Sequence, residues 1–420
     1  MKRALLLMTT ATYRAKAFLE AARAAGVRVA VGTDRPDVLG DLNPGGSLTL
    51  DFLKPEREAG AIAAFAERYP LDAIVPVDED TTILGALAAE RLGLPYHPPG
   101  AARAARSKYQ LRQVLSEEGI PAPGFRLLAA EEDPARLART VRYPCVLKPT
   151  FLSASRGVIR ANDEREFEAA FRRVAAILRE PGTAGRGGAE AGMILAEDYI
   201  PGIEVALEGL MIRGELHALA LFDKPDPMEG PFFEETIYVT PSRLPRAKQE
   251  EIARQAGRAA RALGLREGPV HAEFRLNEGG VWPLDIAGRS IGGRCSEALS
   301  FGDGLPLETL ILCQALGVAP PSLEREGEAS GVMMIPIPAA GVLRGVEGKE
   351  EALAVPGVRG VEIAIHAGGR VVPLPEGEKY LGFIFAKGKT PEEAEAALRR
   401  AHARLKFRID PEDKEPEAET

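Results

Sequence analysis

Three cysteines in a chain of 420 residues are too few and too scattered to build a disulfide framework. Cys145, Cys295 and Cys313 are an odd number without metal-ligand spacing, which points to inert thiols in a reducing cytoplasm. No apolar run approaches the roughly 18 residues of a membrane span, so no membrane role is expected. The start, MKRALLLMTT, has a basic pair and a short apolar run, but no small-residue cleavage pattern follows. It reads as a first β-strand. Positive charge is in deficit, and a net charge of -8 gives no basis for nucleic-acid binding, although an acidic total is compatible with local basic clefts. No 20 to 50-residue repeat and no G-x-x-x-x-G-K-[ST] loop occur, which excludes a solenoid and a Walker A site. What remains is an ordinary globular composition, 45% hydrophobic and 27% charged, long enough for two or three domains around a shared cleft. The surplus of Arg, Glu, Pro and Ala over Asn and Gln suggests a thermophile.

Short apolar runs alternate with amphipathic stretches over the first hundred residues. Strands are expected at 4–8, 27–32 and 72–77, with helices at 13–25 and 56–68. This βαβαβ order predicts a parallel sheet covered by helices. Thr9 and Thr10 follow the first strand and Asp78, Glu79 and Asp80 the third, where ligands of open α/β sheets sit; capping of helices is the alternative for the same residues. LGLPYHPPG closes the unit, and one helix is expected from 101 to 118. The pattern then changes to α+β, with strands at 143–150, 193–200, 204–212 and 215–224 and helices at 163–179 and 246–263. PGTAGRGGAEAG (181–192) reads as a flexible connection and 225–245 as a long loop. The last third mixes strands around GVMMIPIP, RGVEIAIHA and YLGFIFAKG with a helix at TPEEAEAALRRAHARL, before an acidic tail, 412–420, expected to fray.

The chemistry concentrates in GPVHAEFRLNEGGVWPLDIAGRSIGG (268–293). Alternation places His271, Glu273 and Arg275 on one strand face. A three-residue turn, Glu278-Gly279-Gly280, would set Glu273 opposite Asp285, and two carboxylates about 5 Å apart repel unless a cation joins them. Mg²⁺ prefers such oxygen ligands; a surface hairpin with one carboxylate turned away is the alternative. Arg289 follows Asp285 by four residues and precedes Ser290 and Gly292-Gly293, a suitable grip for phosphate or carboxylate, or else a structural partner of Asp285. Lys148 ends the apolar strand VLK and precedes a small, hydroxyl-bearing loop containing Ser153 and Ser155, which can fold over phosphates. Lys108 lies on the helix after the first unit. Glu197 precedes Gly202 and Glu204, and carboxylates so placed can accept from an adenine amino group and ribose hydroxyls.

Taken in order, these pieces resemble the ATP-grasp family. They are a helix lysine, a strand lysine with its loop, E-x-x-x-x-G-x-E from Glu197 to Glu204, and paired carboxylates followed by an arginine. Within it FDKPDPMEGPFFEETIYVTPS and IAGRSIGG look like the L-amino acid ligase group. The resemblance covers nearly the whole chain and implies a mixed α/β and α+β fold. Its parts would be an N-terminal Rossmann-like pre-ATP-grasp domain (1–106), a central ATP-grasp domain (107–325) and a C-terminal α+β lid domain (326–420) completing the cleft. It implies that Lys108 and Lys148 meet ATP phosphates under the Ser153 and Ser155 loop. Glu197 with backbone groups of Asp198 and Ile200 would hold adenine, and Glu204 ribose. Glu273 and Asp285 would hold one or two Mg²⁺ or Mn²⁺ ions, and Arg289 would stabilise an acyl-phosphate. Two positions depart from the pattern: Asp285 where glutamate is usual, and Ala287 where many relatives carry a metal-binding Asn. Biotin carboxylases are similar in layout, but R-S-I-G-G replaces their R-x-Q-V-E and no Met-Lys-Met site exists, which disfavours carboxylation.

The implied activity is phosphorylation of a small carboxylate followed by attack of an amine, with Arg289, Lys148 and Glu273 as catalytic groups. Glu235 and His271 are candidates to guide the amine, and the 153–157 and 181–192 segments are candidates for a closing lid. Specificity is expected near Thr9, Thr10, Asp78 and Glu79 and in the 225–240 loop. A homodimer fits the family likeness. The competing readings are a nucleotide-binding protein without ligase chemistry, and a ligase whose nucleophile is a thiol or ammonia.

Overall fold

The structure, a computed structural model, describes residues 1–36 and 45–411. The acidic tail at 412–420 lies outside the described residues. The chain forms two compact units, each drawn from discontinuous stretches. The first comprises Met1–Pro123, Ile200–Phe222 and Leu244–Gly327, and the second Gly124–Tyr199, Asp223–Arg243 and Glu328–Thr420. These units cut across the consecutive segments 1–106, 107–325 and 326–420.

In the first unit, Ser47–Thr49, Arg28–Thr33, Arg3–Leu7 and Ala73–Pro76 form a parallel sheet in that order. Residues 4 to 7 are fully buried, as a central strand covered on both faces requires. The strand Ser47–Thr49 and the helix Thr82–Leu92 were not apparent from periodicity. That helix buries Thr82, Leu84, Gly85, Ala86, Ala88 and Ala89, so it lacks the polar face that marks an amphipathic helix. The helix expected over 101–118 is two, Pro99–Arg106 and Lys108–Glu117. Ser107 breaks it by adopting an extended conformation and capping the second helix, its Oγ accepting from the Gln110 N–H at 3.1 Å. Lys108 therefore stands in a helix first turn.

The same unit holds antiparallel strands in the order Gly280–Ala287, Gly268–Asn277, Ile203–Ile212 and Glu215–Lys224, the last running on into the second unit. One face packs Ala272, Phe274 and Ile286 against Leu111, Leu115, Ile252 and Ala256 of the helices Lys108–Glu117 and Arg246–Ala262. The opposite face carries Glu204, Glu208, His271, Glu273 and Arg275, because His271 pairs with Glu208 and Arg275 with Glu204 across the ladder. Gly202 is the glycine of E-x-x-x-x-G-x-E. Its φ is +126°, and a Cβ there would lie 2.0 Å from the Leu276 carbonyl oxygen. The motif glycine thus serves backbone packing. Gly202→Ala is expected to cost about 1–3 kcal/mol and several degrees of melting temperature, read by calorimetry. An unchanged melting temperature would contradict that account.

In the second unit, Phe125–Ala129, Met193–Asp198, Cys145–Pro149 and Ile159–Ala161 form an antiparallel sheet in that order, with the helix Glu164–Arg179 burying Phe167, Phe171 and Val174 against it. The strands Ile237–Thr240, Ala329–Ile335, Gly382–Gly388 and Val358–Ile363 form a second antiparallel array backed by the helix Pro391–His402. The 181–192 segment, expected to be a flexible connection, lies largely at the surface and is anchored at Thr183 and Gly187. Thr183 has no exposed surface, and a Cβ at Gly187 would meet the Phe151 ring at 2.4 Å. Gly187 lets the backbone lie close to that ring, whereas Gly182, Gly185 and Gly188 have open space around them.

Candidate functional site

Glu273 and Asp285 are cross-strand partners, but not through the turn anticipated. The turn has two residues, Glu278 and Gly279, closed by the pair Asn277 and Gly280, and Asn277 Oδ1 accepts from the Gly279 N–H at 2.8 Å. Such a turn alone would place Leu284 opposite Glu273 and drive Asp285 toward the apolar face, opposite Ala272. A β-bulge prevents this. Phe274 pairs with Pro283 and Glu273 with Asp285, so Leu284 is the extra residue, and the phase of the strand reverses beyond it. Val281 and Ile286, five positions apart, both reach the core as a result, and Asp285 turns to the polar face.

Each carboxylate faces a cation of the protein. Lys108 Nζ lies 3.4 Å from Asp285 Oδ2, and His271 Nε2 lies 3.5 Å from Glu273 Oε1. His271 is only 7% exposed, and its Nδ1 lies 3.4 Å from Glu208 Oε2. Burial works to lower its pKa, but Glu208 and Glu273 outweigh burial and push it up to about 9. An imidazolium held between two carboxylates supports Glu273 and is a poor base, so the earlier candidacy of His271 for guiding an amine does not fit its surroundings. Glu208 is fully buried, which raises its pKa, while its Oε2 accepts from the Ile291 N–H at 3.0 Å.

Arg289 pairs with Glu79 rather than with Asp285: Nε donates to Glu79 Oε2 at 2.5 Å and Nη1 to the Ser290 carbonyl at 2.9 Å. Burial opposes its charge, but Glu79 and then Asp285 more than restore it, so the guanidinium is firmly cationic. The following segment is braced by the loop after the first strand. Arg14 Nη2 donates to Ser290 Oγ at 2.5 Å, Arg14 Nη1 to the Val77 carbonyl at 2.8 Å, and the Gly293 N–H to Tyr13 Oη at 2.7 Å. Tyr13 and Arg14 carried no motif that would have singled them out. Thr9 and Thr12 bond Asp78, Thr10 bonds Asp34, and Arg106 pairs with Asp80. Of the strand-end residues considered for substrate contact, Thr9, Thr10, Asp78 and Asp80 thus knit loops together, while Glu79 holds Arg289.

His97 anchors the base of the hairpin. Its Nε2 donates to the Pro269 carbonyl at 3.2 Å, and its Nδ1 accepts from the Arg266 N–H at 3.2 Å, a set that only neutral imidazole satisfies. Burial depresses its pKa from 6.5 to about 4. The folded value lies below the unfolded one, so this contribution is complete above pH 6.5 and is lost as pH falls toward 4. The loss is on the order of 3 kcal/mol. His97→Gln is expected to flatten that part of the melting-temperature profile; equal slopes for both chains would refute the assignment.

In the second unit, Lys148 and Glu197 share a sheet face, and Lys148 Nζ lies 2.6 Å from Glu197 Oε2 with both side chains nearly buried. The same face carries a small apolar cluster of Val146, Met228 and Phe233 with Val158 and Tyr199 packed on it. The Asp198 N–H is spent on the Gly124 carbonyl at 2.8 Å. In the first unit, the Ile200 carbonyl accepts from Arg275 Nη1 at 2.7 Å, and Glu204 Oε2 accepts from Arg275 Nε at 3.1 Å. The Ser153 to Gly157 loop turns through Ala154 and Ser155, both at φ +54°. This candidate lid segment is tethered: Arg156 pairs with Glu180 and Glu378 and donates Nε to the Glu376 carbonyl at 2.9 Å, and the Gly157 N–H donates to the Pro375 carbonyl at 2.8 Å. Glu235 accepts from Lys224 Nζ at 2.7 Å and Tyr238 Oη at 2.8 Å.

The hairpin's donor set fits a hard divalent ion. Glu273 and Asp285 supply carboxylate oxygens on one face, with cationic side chains at present moderating their repulsion. Ala287, opposite His271, adds no donor.

In this mixed α/β and α+β protein the first unit carries Glu204, Glu208, His271, Glu273, Arg275 and Asp285 on one sheet face, and the second carries Lys148 with Glu197 on another. The chain belongs to the ATP-grasp family, in its L-amino acid ligase group. Residues 19–96 match the ATP-grasp N-terminal domain, 141–298 the ATP-grasp domain, and 333–410 the L-amino acid ligase C-terminal domain 2. It is 30% identical over 278 residues to alanine–anticapsin ligase of Bacillus subtilis (strain 168), covering 62% of this chain and 58% of that one. It is 31% identical over 287 residues to carnosine synthase 1 of Gallus gallus, covering 65% and 30%. The chain spans between half and three fifths of the length of alanine–anticapsin ligases that it matches. Among solved structures, L-amino acid ligase from Bacillus licheniformis superimposes with a TM-score of 0.78 at 26% identity, over 98% of this chain and 99% of that one. No helix among the described residues is long and apolar enough to cross a membrane.

Proposed function

We propose that the chain is an ATP-dependent, ADP-forming carboxylate–amine ligase that joins a small carboxylate, an amino acid, to an amine through an amide bond. The observation that carries this reading is the bulged hairpin, which sets Glu273 opposite Asp285 with Lys108 at 3.4 Å and the cationic Arg289 four residues on. Glu273 and Asp285 would hold Mg²⁺ or Mn²⁺, which supplies charge neutralisation for a transferring phosphoryl group. With Ala287 contributing no ligand, one tightly held ion is the expectation and a second would lean on nucleotide oxygens. Lys148 and Lys108 meet the nucleotide phosphates beside Ser153 and Ser155; Glu197 and the backbone near Asp198 and Ile200 meet adenine, and Glu204 the ribose. The segments 1–106, 107–325 and 326–420 act as pre-ATP-grasp, ATP-grasp and lid domains.

The carboxylate oxygen attacks the γ-phosphorus and ADP leaves. Arg289 holds the carboxylate in line and stabilises the resulting acyl-phosphate, a matter of positioning and electrostatics. The amine nitrogen then attacks the acyl carbon, phosphate leaves, and the nitrogen gives up a proton, with Glu235 a candidate to steer it. Substrate choice falls to Glu79 and the 225–240 loop. We place the enzyme in the cytoplasm as a homodimer, with no nucleic-acid or membrane partner.

A matrix of amino acids offered with ATP and Mg²⁺, read by phosphate release and product mass, tests the proposal. Phosphate release dependent on an added carboxylate, with a product heavier by the amine, is expected. Nucleotide binding without release under every condition would sink it in favour of a binding protein, and product mass would expose a thiol or ammonia nucleophile.

A further inference from the structure

Arg112 has no exposed surface and is the largest fully buried side chain among the described residues. It sits one helical turn beyond Lys108 on the helix Lys108–Glu117, and its Nη2 donates to the Leu284 carbonyl at 2.6 Å. Leu284 is the extra residue of the bulge. One helix therefore grips the strand Gly280–Ala287 at two consecutive residues: Arg112 holds the carbonyl of Leu284, and Lys108 approaches the carboxylate of Asp285. A bulge leaves one residue outside the ladder, and a buried carbonyl without a donor costs free energy. A guanidinium meets that need with a charge-assisted bond, and its rigid plane fixes the direction of the carbonyl as well.

We propose that Arg112 is a positioning residue for the metal carboxylates, locking the bulge that turns Asp285 to the face of Glu273. This rests on the metal reading of the preceding section. Nothing requires a buried arginine beneath an apolar helix face for packing alone; a methionine would fill most of that volume. The bond instead reaches 172 positions along the chain to the one strand residue whose conformation decides the facing of Asp285.

Mn²⁺ binding in the presence of saturating ADP, followed by electron paramagnetic resonance, tests this on wild type, Glu273→Ala, Arg112→Met and Arg112→Lys. Wild type should bind and Glu273→Ala should not; if wild type fails to bind, or Glu273→Ala binds as well, the metal reading fails and takes the proposal with it. If they differ as expected, Arg112→Met should raise the Mn²⁺ dissociation constant by about 10–100-fold, as loss of an outer-shell support does. The half-saturating Mg²⁺ in turnover should rise in step while KM for ATP at saturating metal stays within twofold of wild type. Arg112→Lys should fall between the two. A purely packing role would lower the melting temperature of Arg112→Met and leave Mn²⁺ affinity within twofold of wild type, which overturns the proposal. Should Arg112→Met not fold, Arg112→Lys decides: a rise of about threefold or more supports the proposal, and unchanged affinity overturns it.

Discussion

Replacing Glu273 with Ala is expected to remove ATP turnover, to below one hundredth of wild type, while the chain still folds. The magnitude follows from its place: a lone Asp285 with Lys108 3.4 Å away is a neutralised pair with no carboxylate opposite to share a divalent ion. Folding survives because the hairpin register is set by Ala272, Phe274, Val281 and Ile286 on the other face. Removing Glu273 also takes one carboxylate from His271, so the imidazolium keeps Glu208 alone and its pKa should fall back from about 9. Carboxylate-dependent phosphate release and far-ultraviolet circular dichroism check the two halves. Retention of more than a tenth of wild-type turnover would reject the metal role.

Arg289→Met is expected to lower kcat by about 10³-fold, with nucleotide and Mn²⁺ affinities close to wild type. The guanidinium is already oriented by Glu79 and by the Ser290 carbonyl, and its segment is braced by Arg14 and Tyr13, so its contribution is preorganised charge. Arg289→Lys should recover little, because a compact ammonium cannot hold Glu79 and a substrate oxygen through a planar fork. Rapid-quench measurement of ADP formation separates this loss from weaker binding. A kcat within tenfold of wild type would assign Arg289 to structure, as the partner of Glu79.

The hairpin shows how far local pattern carries. Alternation in HAEFRL was enough to place His271, Glu273 and Arg275 on one face, because a strand has period two whatever surrounds it. The partner strand was read to the right facing through the wrong turn. A bulge is invisible to a period-two count, and its only trace was that Val281 and Ile286 sit an odd number apart yet both belong to the core. Ser107 is a similar case: a capping residue inside a helical pattern was absorbed into one helix, although it ends one and starts another. The 181–192 and 153–157 segments read as flexible because glycine and small residues are ambiguous, allowing motion where nothing touches them and close packing where something does. Phe151, in one case, and Pro375 with Glu376 and Glu378, in the other, supply the touch.

The sequence by itself determined the elements with strong periodicity, their order, and the residue types at each station of the motif, since these depend on propensity and spacing along the chain. Only the tertiary structure decided that Arg289 faces Glu79, that Thr9 and Asp78 are spent on each other, that His97 must stay neutral, and that Arg112 reaches Leu284. Each of these joins residues tens to hundreds of positions apart, and a buried polar group takes whichever partner the packed fold brings within about 3 Å of it.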